Sequence, residues 1–97
     1  MDRLDRERCN NRDLARLLES CAVGNREAFA ALYDATAAIL FRLGLLVLRD
    51  RKRAEQCTQN TYARIWLTAS SFDASTGSAL SWLATITYRN AQEALRA

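Results

Sequence analysis

The residues best suited to chemistry are three amides, Gln56, Gln59 and Asn60, followed by a serine-rich stretch over residues 70–78 and by Trp82. Spacings of three and four put the amides on one face of a helix. Each side-chain amide offers an acceptor and two donors, so the row can make many hydrogen bonds without strong charge, either to solvent or to a partner helix. Trp66 and Trp82 flank the polar stretch, and a surface is expected where that loop meets two helix ends. This is recognition chemistry. The chain has no histidine, the commonest general base, and no serine or cysteine stands at a recognisable spacing from a partner. Its 3 cysteines, Cys9, Cys21 and Cys57, form no C-x-x-C pair and have no histidine to complete a zinc site. The odd count fits no disulfide framework, and Cys21 and Cys57 read as small buried hydrophobes. No metal, no cofactor and no catalysis are expected.

A chain of 97 residues holds one small domain with a single core. Hydrophobic residues at 49% and charged residues at 26% are ordinary for a soluble globular domain. No uninterrupted apolar run approaches the roughly 18–20 residues that span a bilayer, and the N-terminus is charged rather than signal-like. A cytoplasmic protein without membrane insertion is expected. The whole of the net charge of +3 arises between Arg49 and Arg64, where Arg49, Arg51, Lys52, Arg53 and Arg64 stand against Asp50 and Glu55. Such a patch fits either a polyanion footprint or a solvated corner between helices.

These residues need a scaffold, and the apolar spacing predicts an all-α bundle of about four helices. Residues 1–12 are strongly polar and lack periodicity, which reads as a flexible leader before a domain over 13–97. Leu14, Leu17, Leu18 and Cys21 mark a first short helix, capped by Asp13 or Asn11 and ended by Gly24. Asn25 caps a second, long helix over about 26–48, with Phe29, Leu32, Tyr33, Thr36, Ile39, Leu40, Leu43 and Val47 as its stripe. Phe41, Leu45 and Leu46 broaden that face, as in a central helix packed on more than one side. Gly44 costs it ~1 kcal/mol relative to Ala, with close packing the usual compensation. Residues 49–53 read as a solvent-exposed corner. A third helix turns Ala54, Cys57, Thr58, Thr61, Ile65, Ala69 and Phe72 inward and leaves Glu55, Gln56, Gln59, Asn60, Ala63 and Arg64 outside. After the loop, Ser78 caps a last helix whose inner face is Leu80, Leu83, Ile86, Thr87, Ala91, Ala94 and Leu95. Trp66 and Phe72 read as core anchors, while Trp82 divides evenly between core and exposed surface.

In order and spacing, several short stretches together resemble region 2 of the extracytoplasmic-function (ECF) sigma factors, the smallest class of the sigma-70 superfamily. They are Gly24-Asn25-Arg26-Glu27-Ala28-Phe29, Leu32-Tyr33-Asp34-Ala35-Thr36, Leu48-Arg49-Asp50, Ala54-Glu55-Gln56 with Gln59-Asn60-Thr61-Tyr62 and Ile65-Trp66, Phe72-Asp73, and Gly77-Ser78-Ala79-Leu80-Ser81-Trp82-Leu83. The resemblance implies a transcription-initiation module that binds core RNA polymerase and recognises and melts the promoter minus-ten element. It places Asp50, Gln56, Gln59, Asn60 and Tyr62 against the clamp helices of the largest polymerase subunit. It places Arg64, Phe72, Asp73, Ser75, Thr76, Gly77, Ser78, Trp82, Thr85, Arg89 and Asn90 against the single-stranded non-template strand, where a flipped base is held. Opened strands are gripped by aromatic stacking, loop hydrogen bonds and phosphate neutralisation. Base extrusion costs a few kcal/mol, which a preformed pocket offsets.

The chain departs from the family pattern in three places. Family members usually carry Asp or Glu where Gln56 and Asn60 stand, and amides there lower the electrostatic steering toward a basic partner. The loop lacks the proline and the basic residue often found between Asp73 and Gly77. The Arg-Asn pair of the last helix falls one position late, as Arg89-Asn90, leaving open which of the two faces DNA. Region 4, which normally follows, is not expected within these residues. A second expectation from the two amides is a helical interaction module bound by an anti-sigma protein, with weakened polymerase docking.

Overall fold

Side-chain caps set most of the helix starts. The computed structural model describes residues 10–96. Helix α1 spans Asn11–Ala22, with Asn10 Oδ1 accepting from the Asp13 amide at 2.9 Å. The N-terminal boundary expected at residue 13 therefore moves outward: Asn11 and Arg12 are helical, while residues 1–9, with Cys9, lie outside the described residues. The capping residue is Asn10, not Asn11 or Asp13. Gly24 closes α1 at a φ of 88°, a left-handed conformation that glycine adopts without strain.

Helix α2 spans Arg26–Leu48, with Asn25 Oδ1 accepting from the Ala28 amide at 3.0 Å. It ends at Arg49, whose φ of 54° makes it the one non-glycine in the left-handed region among the described residues. Asp50 starts α3, Arg51–Thr68, by accepting from the Arg53 amide at 3.1 Å. The solvent corner expected over 49–53 is thus two residues long, and Arg51, Lys52 and Arg53 form the first turn of α3. A 3-10 turn, Ala69–Ser71, leads into the loop, and α4 spans Ala79–Arg96.

Helix α2 packs against all three other helices. Its buried row is Ala28, Leu32, Thr36, Leu40, Gly44 and Leu48, spaced by four throughout. Neighbouring helices follow an i±4 ridge, so residues offset by three leave the contact line. That is why Tyr33 and Ile39, expected inside, are 45% and 41% exposed, and why Leu46, at 71%, points outward. The long helix is central but open along one side. It is long and apolar enough to cross a membrane by composition, with a mean hydropathy of 1.7 over its best window. This corrects the expectation drawn from uninterrupted runs: Asp34 and Arg42 break the run without lowering the average enough. In the fold it packs against α1, α3 and α4.

Leu14, Leu18, Leu32, Leu40, Ile65 and Leu83 are fully buried and form the centre of the core. Burial raises the thiols of Cys21 and Cys57 above their ordinary range, which disfavours the reactive thiolate. Leu95, expected inside, is 54% exposed because α4 leaves the core in its last turn. Among the described residues the buried polar side chains are paired. Thr36 Oγ1 donates to the Leu32 carbonyl at 2.7 Å and so spends its only proton, which leaves Tyr62 OH as donor to Thr36. Burial pushes the Tyr62 phenol up to about 12.

Two outcomes follow from this packing. A methyl added at Gly44 meets Cys57 Sγ at 3.7 Å and the Ala54 carbonyl at 3.9 Å, which is ordinary contact. Gly44→Ala should therefore stabilise the protein by up to ~1 kcal/mol through helix propensity, read as a higher Tm. Tyr62 is protonated when folded and ionises more easily when unfolded, from about 10 against about 12. Its contribution is complete below pH 10 and is lost as pH rises toward 12, about 2–3 kcal/mol in all. Denaturant titrations from pH 9 to 11.5 should show that loss in the wild type and a much flatter profile in Tyr62→Phe.

Candidate interaction surfaces

The amide row stands where the spacing put it. Ala54, Cys57, Thr58, Thr61, Tyr62 and Ile65 bury the inner face of α3, and this turns Gln56, Gln59 and Asn60 to solvent. Gln56 Nε2 donates to Asn60 Oδ1 at 3.2 Å, so the two amides orient each other along the helix. The row forms a crest between two grooves. Tyr33, Phe41, Arg51, Glu55 and Gln59 line the groove toward α2. Asn60, Arg64, Asn90, Glu93 and Ala94 line the groove toward α4.

Tyr62 does not belong to this crest. It is 4% exposed, with its ring edge-on to Phe29 and tilted on Tyr33 at a centroid distance of 4.7 Å. Its hydroxyl points at Thr36 inside the bundle, which removes it from the expected docking set. Trp66 packs edge-on against Phe29 at 5.1 Å and acts as the core anchor expected of it. Asp50 is exposed, and the task its carboxylate performs within the chain is to cap α3.

The second surface is the loop after α3. Asp73 Oδ1 accepts from the backbone amide of Ser75 at 2.9 Å and from its hydroxyl at 2.7 Å. Thr76 donates to the Asp73 carbonyl through both its amide and its hydroxyl. The bonds from Ser75 hold the Asp73 carboxyl below the usual carboxylate range. The loop thus presents a fixed anion. Gly77 is exposed beside it. Ser78 Oγ accepts from the Ser81 amide at 3.1 Å and caps α4 as expected. Asn11 Oδ1 reaches across from α1 to accept from the Leu80 amide at 2.9 Å, a partner with no local sequence signal. Phe72 and Trp82 are both half-buried and meet edge-to-face at 5.5 Å, so each ring serves the loop's base and keeps one part exposed.

On α4, Thr85 and Arg89 are exposed and lie outside the core, as expected. Asn90 is not available in the same way. It is 8% exposed and donates from Nδ2 to Thr61 Oγ1 at 3.0 Å, tying α4 to α3. This answers which of the Arg-Asn pair faces outward: Arg89 does, and Asn90 is structural.

The basic segment is more occupied than its composition suggests. Arg51 pairs with Glu55 at 3.5 Å, and Arg64 pairs with Glu93 at 3.5 Å. Arg53 donates to the Ala94 carbonyl in the last turn of α4, where a cation also meets the negative end of the helix dipole. Arg49 and Lys52 make no ion pair among the described residues.

A family model for sigma-70 region 2 matches residues 28–97. Curated relatives share this stretch. The protein named ECF RNA polymerase sigma factor SigK of Mycobacterium ulcerans is 45% identical over 85 residues, covering 88% of this chain and 46% of that protein. Its namesake in Mycolicibacterium vanbaalenii is 44% identical over 84 residues, covering 87% of this chain and 43% of that one. The Mycobacterium tuberculosis protein of the same name is 42% identical over 84 residues, covering 87% and 45%. The chain spans a little under half the length of these relatives.

The capping role of Asp50 can be measured directly. Asp50→Ala should cost about 1 kcal/mol in denaturant unfolding, whereas Asp50→Ser, which keeps a capping oxygen, should stay within a few tenths of the wild type.

Proposed function

Because the chain belongs to the sigma-70 family and carries its region 2, we propose that it works in transcription initiation, joining core RNA polymerase to promoter DNA in the cytoplasm without chemistry of its own. The observation that carries this reading is the outward amide crest of α3, held exposed beside a preformed loop. In this reading Gln56, Gln59 and Asn60 rest on the clamp helices of the largest polymerase subunit. The groove toward α2 accepts the flank of such a helical partner, and the Arg51–Glu55 pair borders it. The loop of Asp73, Ser75, Thr76, Gly77 and Ser78 receives an unpaired base of the minus-ten non-template strand. The half-exposed rings of Trp82 and Phe72 offer stacking partners, and Thr85 and Arg89 follow the strand along α4.

Amides in place of carboxylates make the crest electrically neutral, so docking here relies on hydrogen bonds more than on steering. The variant carrying Gln56→Asp and Asn60→Glu should therefore bind core polymerase roughly two- to tenfold tighter at low salt, with the gain fading as salt rises. No gain at any ionic strength would remove the crest from the docking surface. For the DNA role, a random pool of single strands selected on the chain bound to core polymerase should converge on one short motif. A pool that stays random would defeat it.

A further inference from the structure

Of the five cations between Arg49 and Arg64, Arg64 is the one that shares a groove with an acid from another helix. Its Nη2 lies 3.5 Å from Glu93 Oε1, and both side chains are 55% exposed. Glu93 is the sole carboxylate on α4. The bond from Asn90 to Thr61, one helical turn before the ion pair on each helix, fixes the spacing between α3 and α4. The groove is otherwise neutral, with Asn60, Ala63, Asn90 and Ala94 on its walls. Glu93 has no packing duty at this exposure, and its main effect is electrostatic.

We propose that Glu93 is a competing carboxylate that holds Arg64 against α4 and so sets how strongly this face takes a nucleic-acid phosphate. The inference rests on the nucleic-acid reading above. A single contact between exposed groups holds a side chain only a few-fold, so a phosphate can displace Glu93. A guanidinium meets a phosphate through two parallel N–H bonds, a stronger geometry than the one contact seen here. Once displaced, Glu93 remains nearby as an anion that repels the strand. The pair thus acts as an exchange point: it weakens non-specific binding while leaving the cation available.

Phosphate contacts carry no sequence information, so a 20-nucleotide oligothymidine is a sufficient probe. Its affinity for the full chain should be measured by fluorescence anisotropy across salt concentration for the wild type, Glu93→Gln, Arg64→Ala, the double variant and Glu55→Gln. Glu93→Gln should tighten binding about three- to fivefold at low salt. Arg64→Ala should loosen it and lower the salt slope by about 0.7, the single-strand value for one lost phosphate contact. In the Arg64→Ala background, Glu93→Gln should gain less than about half as much, because the interaction between contacting residues is lost. Glu55→Gln makes the same change in net charge at the other ion pair and should gain less than Glu93→Gln. Equal gains from Glu55→Gln and Glu93→Gln, or an undiminished gain without Arg64, would overturn the inference and leave the nucleic-acid reading in place. Absence of binding by every form, the wild type included, would also overturn the inference, whereas the nucleic-acid reading is decided by the selection on core polymerase.

Discussion

The working surfaces depend on how α3 is rotated about its own axis, and buried hydrogen bonds set that rotation from two sides. Tyr62 donates to Thr36 on α2, and Asn90 on α4 donates to Thr61. Turning α3 to present another face would strand these groups in the core without partners, a cost of about 1–3 kcal/mol for each. Apolar contacts alone tolerate small rotations, because one aliphatic side chain can replace another in a groove. Directional bonds do not. The exposure of Gln56, Gln59 and Asn60 is thus a consequence of what the opposite side of the same helix must satisfy.

The same logic governs the loop. Its hydroxyls and amides converge on Asp73, and its two flanks are pinned by Phe72 against Trp82 and by the caps of α4. On the proposed reading, much of the ordering needed to hold an extruded base is thus present before any base arrives. A loop rich in serine and glycine would otherwise lose substantial conformational freedom on binding. Preorganisation is the structural counterpart of an interaction that must offset unstacking.

How much of this was legible in the sequence follows from where each signal resides. Local chemistry was visible: Asn25 and Ser78 as caps, Gly24 as a terminator, and the amide row by its spacing. Tyr62 and Asn90 were readable by position, since each falls on the inner stripe, one three residues before Ile65 and the other three after Thr87. Their polar side chains disguised them, because a buried hydroxyl or amide needs a partner that lies 26 or 29 positions away. Tyr33 and Ile39 were misplaced because the crossing of neighbouring helices, which a single helix does not encode, selects the i±4 row. Arg53 and Arg64 looked like free cations for the same reason: Ala94 and Glu93 are near only after folding.

One cap has a consequence for the order of assembly. Asn11 and Leu80 are 69 positions apart, yet the first described helix supplies an acceptor for the opening turn of the last. Forming that contact closes most of the chain into a ring, and ring closure is entropically slow compared with growing a helix in place. The Asp73 loop sits inside the ring, just ahead of the seam. The helix that follows the loop is therefore seated at its first turn only when α1 is in place, so the integrity of the upstream helix is registered beside the loop.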